Sequence, residues 1–184
     1  MYKGTNKTAL SSQKNISDAF VSLLKTKPYS NITVCMLCKK ANVSRQTFYS
    51  LFESKENIIY YELRKKHGFQ PEECCMCGKK QITLSEICEG YSAYIIDKKD
   101  FIALLTKNNM IGYLQDSLYE SLLSCEEFLN TEIGKEKRAY AADFVAGGMS
   151  AIAKSFVTNG ALLEEKALGH LLYQLFSGAI FNSK

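Results

Sequence analysis

The chain has 184 residues, 46% of them hydrophobic and 23% charged, ordinary globular usage that excludes a disordered or fibrous protein. Its net charge of +4 hides an asymmetry: residues 1–67 hold 12 Lys/Arg against 4 Asp/Glu, and the remainder 11 against 15. A basic front part joined to a mildly acidic remainder is the charge pattern of a polyanion-binding module attached to something else. No apolar run approaches the roughly 18 residues that a membrane span needs, and Met1-Tyr2-Lys3-Gly4 opens no apolar leader. The expectation is a cytoplasmic protein without membrane contact.

In chain order, Leu10, Ile16, Ala19, Phe20, Leu23 and Leu24 recur with helical period and mark one amphipathic helix, stopped by Pro28 and the Ser30-Asn31 turn. A short second helix begins at Thr33, whose hydroxyl can cap it, and turns Val34, Leu37, Cys38 and Ala41 inward. Asn42 stands where the chain must turn sharply, and asparagine tolerates the left-handed conformation better than most residues. Ser44 can cap a third helix carrying Phe48 and Tyr49, and Ser54 with Asn57 opens a fourth with Ile58, Ile59 and Leu63 inward. Turn and surface residues cluster from Gly68 to Lys80.

Beyond this break the pattern stays helical. Ile87, Tyr91, Tyr94 and Ile95 define one segment, Phe101, Leu104 and Leu105 a short one, and Ile111 to Leu129 a long one. Glu136 to Thr158 follows, stopped by Asn159-Gly160, and the last stripe runs from Leu168 to Ile180. With no convincing strand alternation, the predicted fold is all-α with about nine helices. The expected division is a helix-turn-helix domain at residues 1–53, a connecting helix and linker at 54–80, and a C-terminal effector-binding and dimerisation domain at 81–184.

The stretch from Ile32 to Phe52 carries the function. Two short helices, a tight turn, small residues at the crossing (Cys38, Ala41) and a polar outer face on the second helix are what a helix-turn-helix requires. The first helix braces against the DNA backbone while the second enters the major groove. Arg45, Gln46, Thr47 and Ser50 suit direct readout, since arginine pairs bidentately with guanine and glutamine with adenine. Tyr49 can aim its hydroxyl at a phosphate.

Thr33-Val34, Leu37, Ala41, Val43, Ser44, Phe48-Tyr49, Phe52 and Ser54-Lys55-Glu56 together resemble the DNA-binding domain of TetR-family transcriptional regulators over residues 12–60. The resemblance implies that Arg45, Gln46 and Ser50 reach base edges, and that Thr33, Ser44, Thr47, Tyr49 and Lys55 hold phosphates. Two positions depart from the family pattern: Asn42 replaces the commoner glycine, and Leu51 stands where a histidine is frequent. The segment Phe144 to Met149, with Ile152, Phe156 and Asn159-Gly160, is similar to C-terminal domains of the dihydroxyacetone-kinase-regulator type.

By the same resemblance the chain is a homodimer that binds a pseudo-palindromic operator in double-stranded DNA, acts as a repressor and answers to a small-molecule effector. Gly148, Ile152, Phe156, Leu168, Leu172, Leu175, Phe176 and Ala179 are the expected dimer residues. Aromatic residues that could line an effector pocket are Tyr60, Tyr61, Tyr91, Tyr94, Phe101, Tyr113 and Phe128. No cofactor or metal is expected.

Seven cysteines is an odd number and argues against a disulfide framework in a cytosolic protein. Cys35 and Cys38 share a C-x-x-C spacing with Cys74 and Cys77, but Cys38 is needed at the helix crossing and cannot also bind zinc without unseating the reading helix. The alternatives are a thiol or soft-metal sensor built on Cys74, Cys75 and Cys77, and a helical adaptor without DNA binding. His67 and His170 are the only histidines, and no nucleophile elbow, phosphate loop or metalloprotease helix occurs, so an enzyme is not expected.

Overall fold

The computed structural model describes residues 1–2, 4–65, 82–124 and 134–180. Among them are eight α-helices and no strand, divided into two compact units, Met1–Lys65 and Lys66–Lys184.

The N-terminal unit holds α1 (Lys7–Leu24), a 3-10 turn at Tyr29–Asn31, α2 (Val34–Ala41), α3 (Arg45–Phe52) and α4 (Glu56–Arg64). Helix α1 starts where the Asn6 side chain accepts from the amide of Thr8 at 2.9 Å, which satisfies one of the donors a first turn leaves open. It packs on α2, α3 and α4. Ile16, Phe20, Leu37, Phe48, Phe52, Ile58 and Ile59 are fully buried, and each such side chain contributes about 1.5–3 kcal/mol relative to exposure. The expected domain end at residue 53 therefore moves: α4 is a fourth wall of this core, because Ile58, Ile59 and Leu63 are buried against the other helices. A polar clasp accompanies it. Ser17 of α1 donates to the buried carboxylate of Glu62 in α4, which Lys65 also reaches at 2.9 Å.

The C-terminal unit holds α5 (Leu84–Lys107), α6 (Gly112–Ser124), α7 (Lys135–Thr158) and α8 (Glu165–Phe176). Thr83 and Glu86 close a reciprocal capping box at the start of α5. The two segments expected on either side of residue 98 are one helix, so the described residues hold one helix there where two were expected. No glycine or proline separates them, and Lys98 lays its buried stem along the helix with its ammonium 3.4 Å from Asp97. Helix α5 packs on α7 and α8, and α6 on α7. Two glycines permit close contacts. A Cβ on Gly169 of α8 would stand 3.1 Å from Ser92 Oγ of α5, and one on Gly148 of α7 would stand 3.3 Å from the Phe176 ring of α8. The linker to residue 80, with His67, Cys74, Cys75 and Cys77, lies outside the described residues, as does Phe128. No helix among the described residues is long and apolar enough to cross a membrane.

Candidate nucleic-acid interface

Helix α2 begins where Thr33 Oγ1 accepts from the Met36 amide at 3.2 Å. It ends at Asn42, whose φ of 53° and ψ of 48° are left-handed. That conformation costs a β-carbon about 1–2 kcal/mol in most residues and is eased by the short polar side chain of asparagine. The reversal lets the Val43 amide return to the Cys38 carbonyl at 3.0 Å. Cys38 and Ala41 are buried at the crossing, as small residues there require. The Cys38 thiol lies 3.8 Å from the Ser44 carbonyl. Burial raises its pKa against the opposing pull of the Arg45 charge, so the group stays a neutral packing element.

Helix α3 is capped by Ser44, whose Oγ accepts from the Thr47 amide at 3.0 Å and lies 2.8 Å from Thr47 Oγ1. Its two faces are sharply divided. Phe48, Leu51 and Phe52 point into the core, and the Phe48 and Phe52 rings lie 6.2 Å apart. Arg45, Gln46, Tyr49 and Ser50 are exposed, and Thr47 is half-buried. Ser50 Oγ donates back to the Thr47 carbonyl at 2.9 Å. Tyr49 is 47% exposed, yet its ring rests edge-on against Phe48 at 5.4 Å, which holds the hydroxyl outward. The structure thus brings seven of the eight sequence-predicted residues to the outer face or the capped starts of α2 and α3. Leu51, at the position where a histidine is frequent in the family, is a core residue, and its carbonyl accepts from the Tyr2 amide at 2.8 Å.

Lys55 is placed differently. Its ammonium donates to the carbonyls of Ile32 at 3.1 Å and Tyr29 at 3.3 Å and sits 4.0 Å above the centre of the Tyr29 ring. The Tyr29 hydroxyl in turn donates to Glu56 at 2.6 Å. Burial opposes ionisation of Glu56, but hydrogen bonds led by that from Tyr29 hold its pKa below the usual value. Tyr29, Lys55 and Glu56 therefore clamp the chain entering α2 to the start of α4. The sequence placed Glu56 only within the Ser54-Lys55-Glu56 motif and missed its tie to Tyr29, because no local pattern announces a contact across 27 residues.

In the C-terminal unit the expected pocket and dimer residues separate. A cavity of about 220 Å³ lies between α5, α7 and α8, floored by Cys88, Tyr91, Met149 and Leu172, with Phe144 and Phe176 also lining it. Of the expected pocket residues that are described, Tyr91 alone lines it. Tyr94 stacks on Tyr91 at 5.9 Å and is core, as is Phe101. Tyr113 is half-buried, and Tyr60 and Tyr61 belong to the N-terminal unit. Among the expected dimer residues, Phe156, Leu168 and Leu172 are buried within the chain itself. Gly148 makes room for the chain's own Phe176. Ile152, Leu175 and Phe176 keep partial exposure, and Ala179 is exposed beyond the end of α8.

The match to known proteins agrees with this geometry. Residues 16–60 match the model of the bacterial regulatory proteins, tetR family. Lin0861 from Listeria innocua has a similar fold, with a TM-score of 0.76 at 12% identity over 97% of this chain and 96% of that one. A TetR transcriptional regulator from Streptococcus agalactiae follows at 0.57 and 21% identity, over 92% and 95%. NalD, the secondary repressor of the MexAB-OprM multidrug efflux pump in Pseudomonas aeruginosa, gives 0.61 at 15% identity, over 94% and 97%. No curated protein matches the sequence. The capped, two-faced α3 lies within the residues that match the tetR-family model, on a chain whose fold is similar to that of a TetR transcriptional regulator.

Proposed function

We propose that this chain is a repressor that binds a pseudo-palindromic DNA operator as a homodimer and releases it in response to a small ligand. The observation that carries the reading is α3: four polar or amphipathic side chains, Arg45, Gln46, Tyr49 and Ser50, stand exposed on a helix whose other face is fully buried. Held this way, Arg45 presents paired donors to a guanine edge and Gln46 one donor and one acceptor to an adenine edge, and the helix starts at Thr33 and Ser44 offer hydroxyls and amides to phosphates.

Support for the dimer comes from α7. Tyr140 and Phe144 are 77% and 76% exposed, large apolar surfaces that water disfavours. They continue at helical spacing into Gly147, Ala151 and Ser155, small side chains that let a second helix approach. A two-fold pair of reading heads would meet half-sites about 34–36 Å apart. Selection of bound sequences from random duplex DNA by the purified chain tests the whole reading. The expected product is an inverted repeat with that spacing; failure to retain any duplex at low salt ends it.

A further inference from the structure

The cavity between α5, α7 and α8 has a chemistry of its own. Its floor is Cys88, Tyr91, Met149 and Leu172, all at most 2% exposed, and Phe144 and Phe176 complete its wall. None of the lining side chains carries a charge. The one hydroxyl in the floor is already engaged, since Tyr91 donates to the Met149 carbonyl at 3.0 Å. Burial pushes the Cys88 thiol up to about 11, so at neutral pH it too presents a neutral surface. A ligand carboxylate or ammonium placed there would lose its hydration without gaining an opposite charge, a cost of several kcal/mol.

Size narrows the class further. A dry cavity of about 150 Å³ lined by aliphatic and aromatic side chains accepts benzene. By proportion, 220 Å³ accommodates about nine heavy atoms, well below the size of a typical drug. We propose that this cavity takes an uncharged, mainly apolar molecule of about that size, monocyclic aromatic or short-chain, and that this is the ligand to which the regulator responds. The second clause rests on the operator-binding reading; the first does not.

The 184-residue chain is titrated calorimetrically with acetophenone and, separately, with benzoate, which matches it in size and differs in charge. Acetophenone is expected to bind and to raise the melting temperature, with benzoate at least tenfold weaker. Val145→Phe and Ile87→Phe, which fill the cavity from α7 and from α5, are each expected to abolish acetophenone binding, with melting curves reporting that both variants fold. Absence of acetophenone binding, equal binding of benzoate, or undiminished binding by both filled variants overturns the assignment; so would side chains of a second copy occupying the space, which gives the first of these results. Operator affinity is then measured with and without acetophenone. A shift supports the regulatory role, no shift removes it while leaving the occupant in place, and failure to bind any duplex removes the operator reading alone.

Discussion

The two units use their apolar residues differently. In the N-terminal unit the side chains of α3 divide by face, with Phe48, Leu51 and Phe52 in the core, Arg45, Gln46 and Ser50 exposed, and only Thr47 in between. In the C-terminal unit an apolar side chain has three fates. Leu168 is core, Val145 lines a cavity, and Tyr140 stands in solvent. A recognition helix is informative because its function sits on residues that the core rejects. A pocket or a dimer face is built from the same residue types as the core, and nothing in their chemistry separates them.

Truncating an aromatic in each unit tests this contrast most severely. Phe52 is fully buried, with Phe48 at 6.2 Å and the Tyr61 ring edge-on at 5.4 Å. Phe52→Ala should cost about 3–5 kcal/mol of folding free energy, measured by urea unfolding, and operator binding should fall with it. Phe144→Ala removes a ring of the same size that is 76% exposed. It should change folding stability by no more than about 0.5 kcal/mol, and should weaken self-association in sedimentation equilibrium. A large loss of stability in Phe144→Ala, with association intact, would mean that the exposed stripe on α7 is not an interface.

Within the reading head the same logic sets a graded series. Arg45→Ala leaves the core untouched and should lose about 1–3 kcal/mol on the selected operator, while binding to random duplex changes far less. Competition titration against both DNAs reads the difference, and an equal loss on each would reassign Arg45 to a phosphate. Ser44→Ala removes the acceptor that holds the Thr47 amide. It should lower stability by about 1 kcal/mol and affinity modestly for all sequences, because it loosens the helix without deleting a base contact.

How far the sequence could be read follows the same division. The two caps at Thr33 and Ser44, the left-handed Asn42 and the inward Phe48 and Phe52 were all legible, because each is fixed by residues within four positions of itself. The merging of two expected segments into α5 was not, since the polar stretch Asp97 to Asp100 looks like a break until Lys98 is seen to bury its stem. Nor was the burial of Phe156, Leu168 and Leu172, because the 3.6-residue period marks an apolar face without naming what covers it. The clamp of Tyr29, Lys55 and Glu56 escaped for a related reason: its members are joined by the fold, and their spacing carries no periodic signal.

That clamp makes Lys55 the finest test of the contrast, since the fold ties the charged group of this predicted contact residue between two of its own elements. An ammonium has three donors, and two of them reach the Ile32 and Tyr29 carbonyls. If the third meets a phosphate, Lys55→Met should reduce the slope of log affinity against log salt by about 0.9, on operator and random duplex alike. If Lys55 acts only by tying the entry of α2 to α4, affinity falls, the salt slope is unchanged, and amide exchange quickens around Ile32, where the brace was lost. The flattened slope is the expected outcome. The two hydrogen bonds fix the ammonium beside the start of α2, and helix starts are where phosphates bind; a brace in that position also presents its charge to the backbone it would contact.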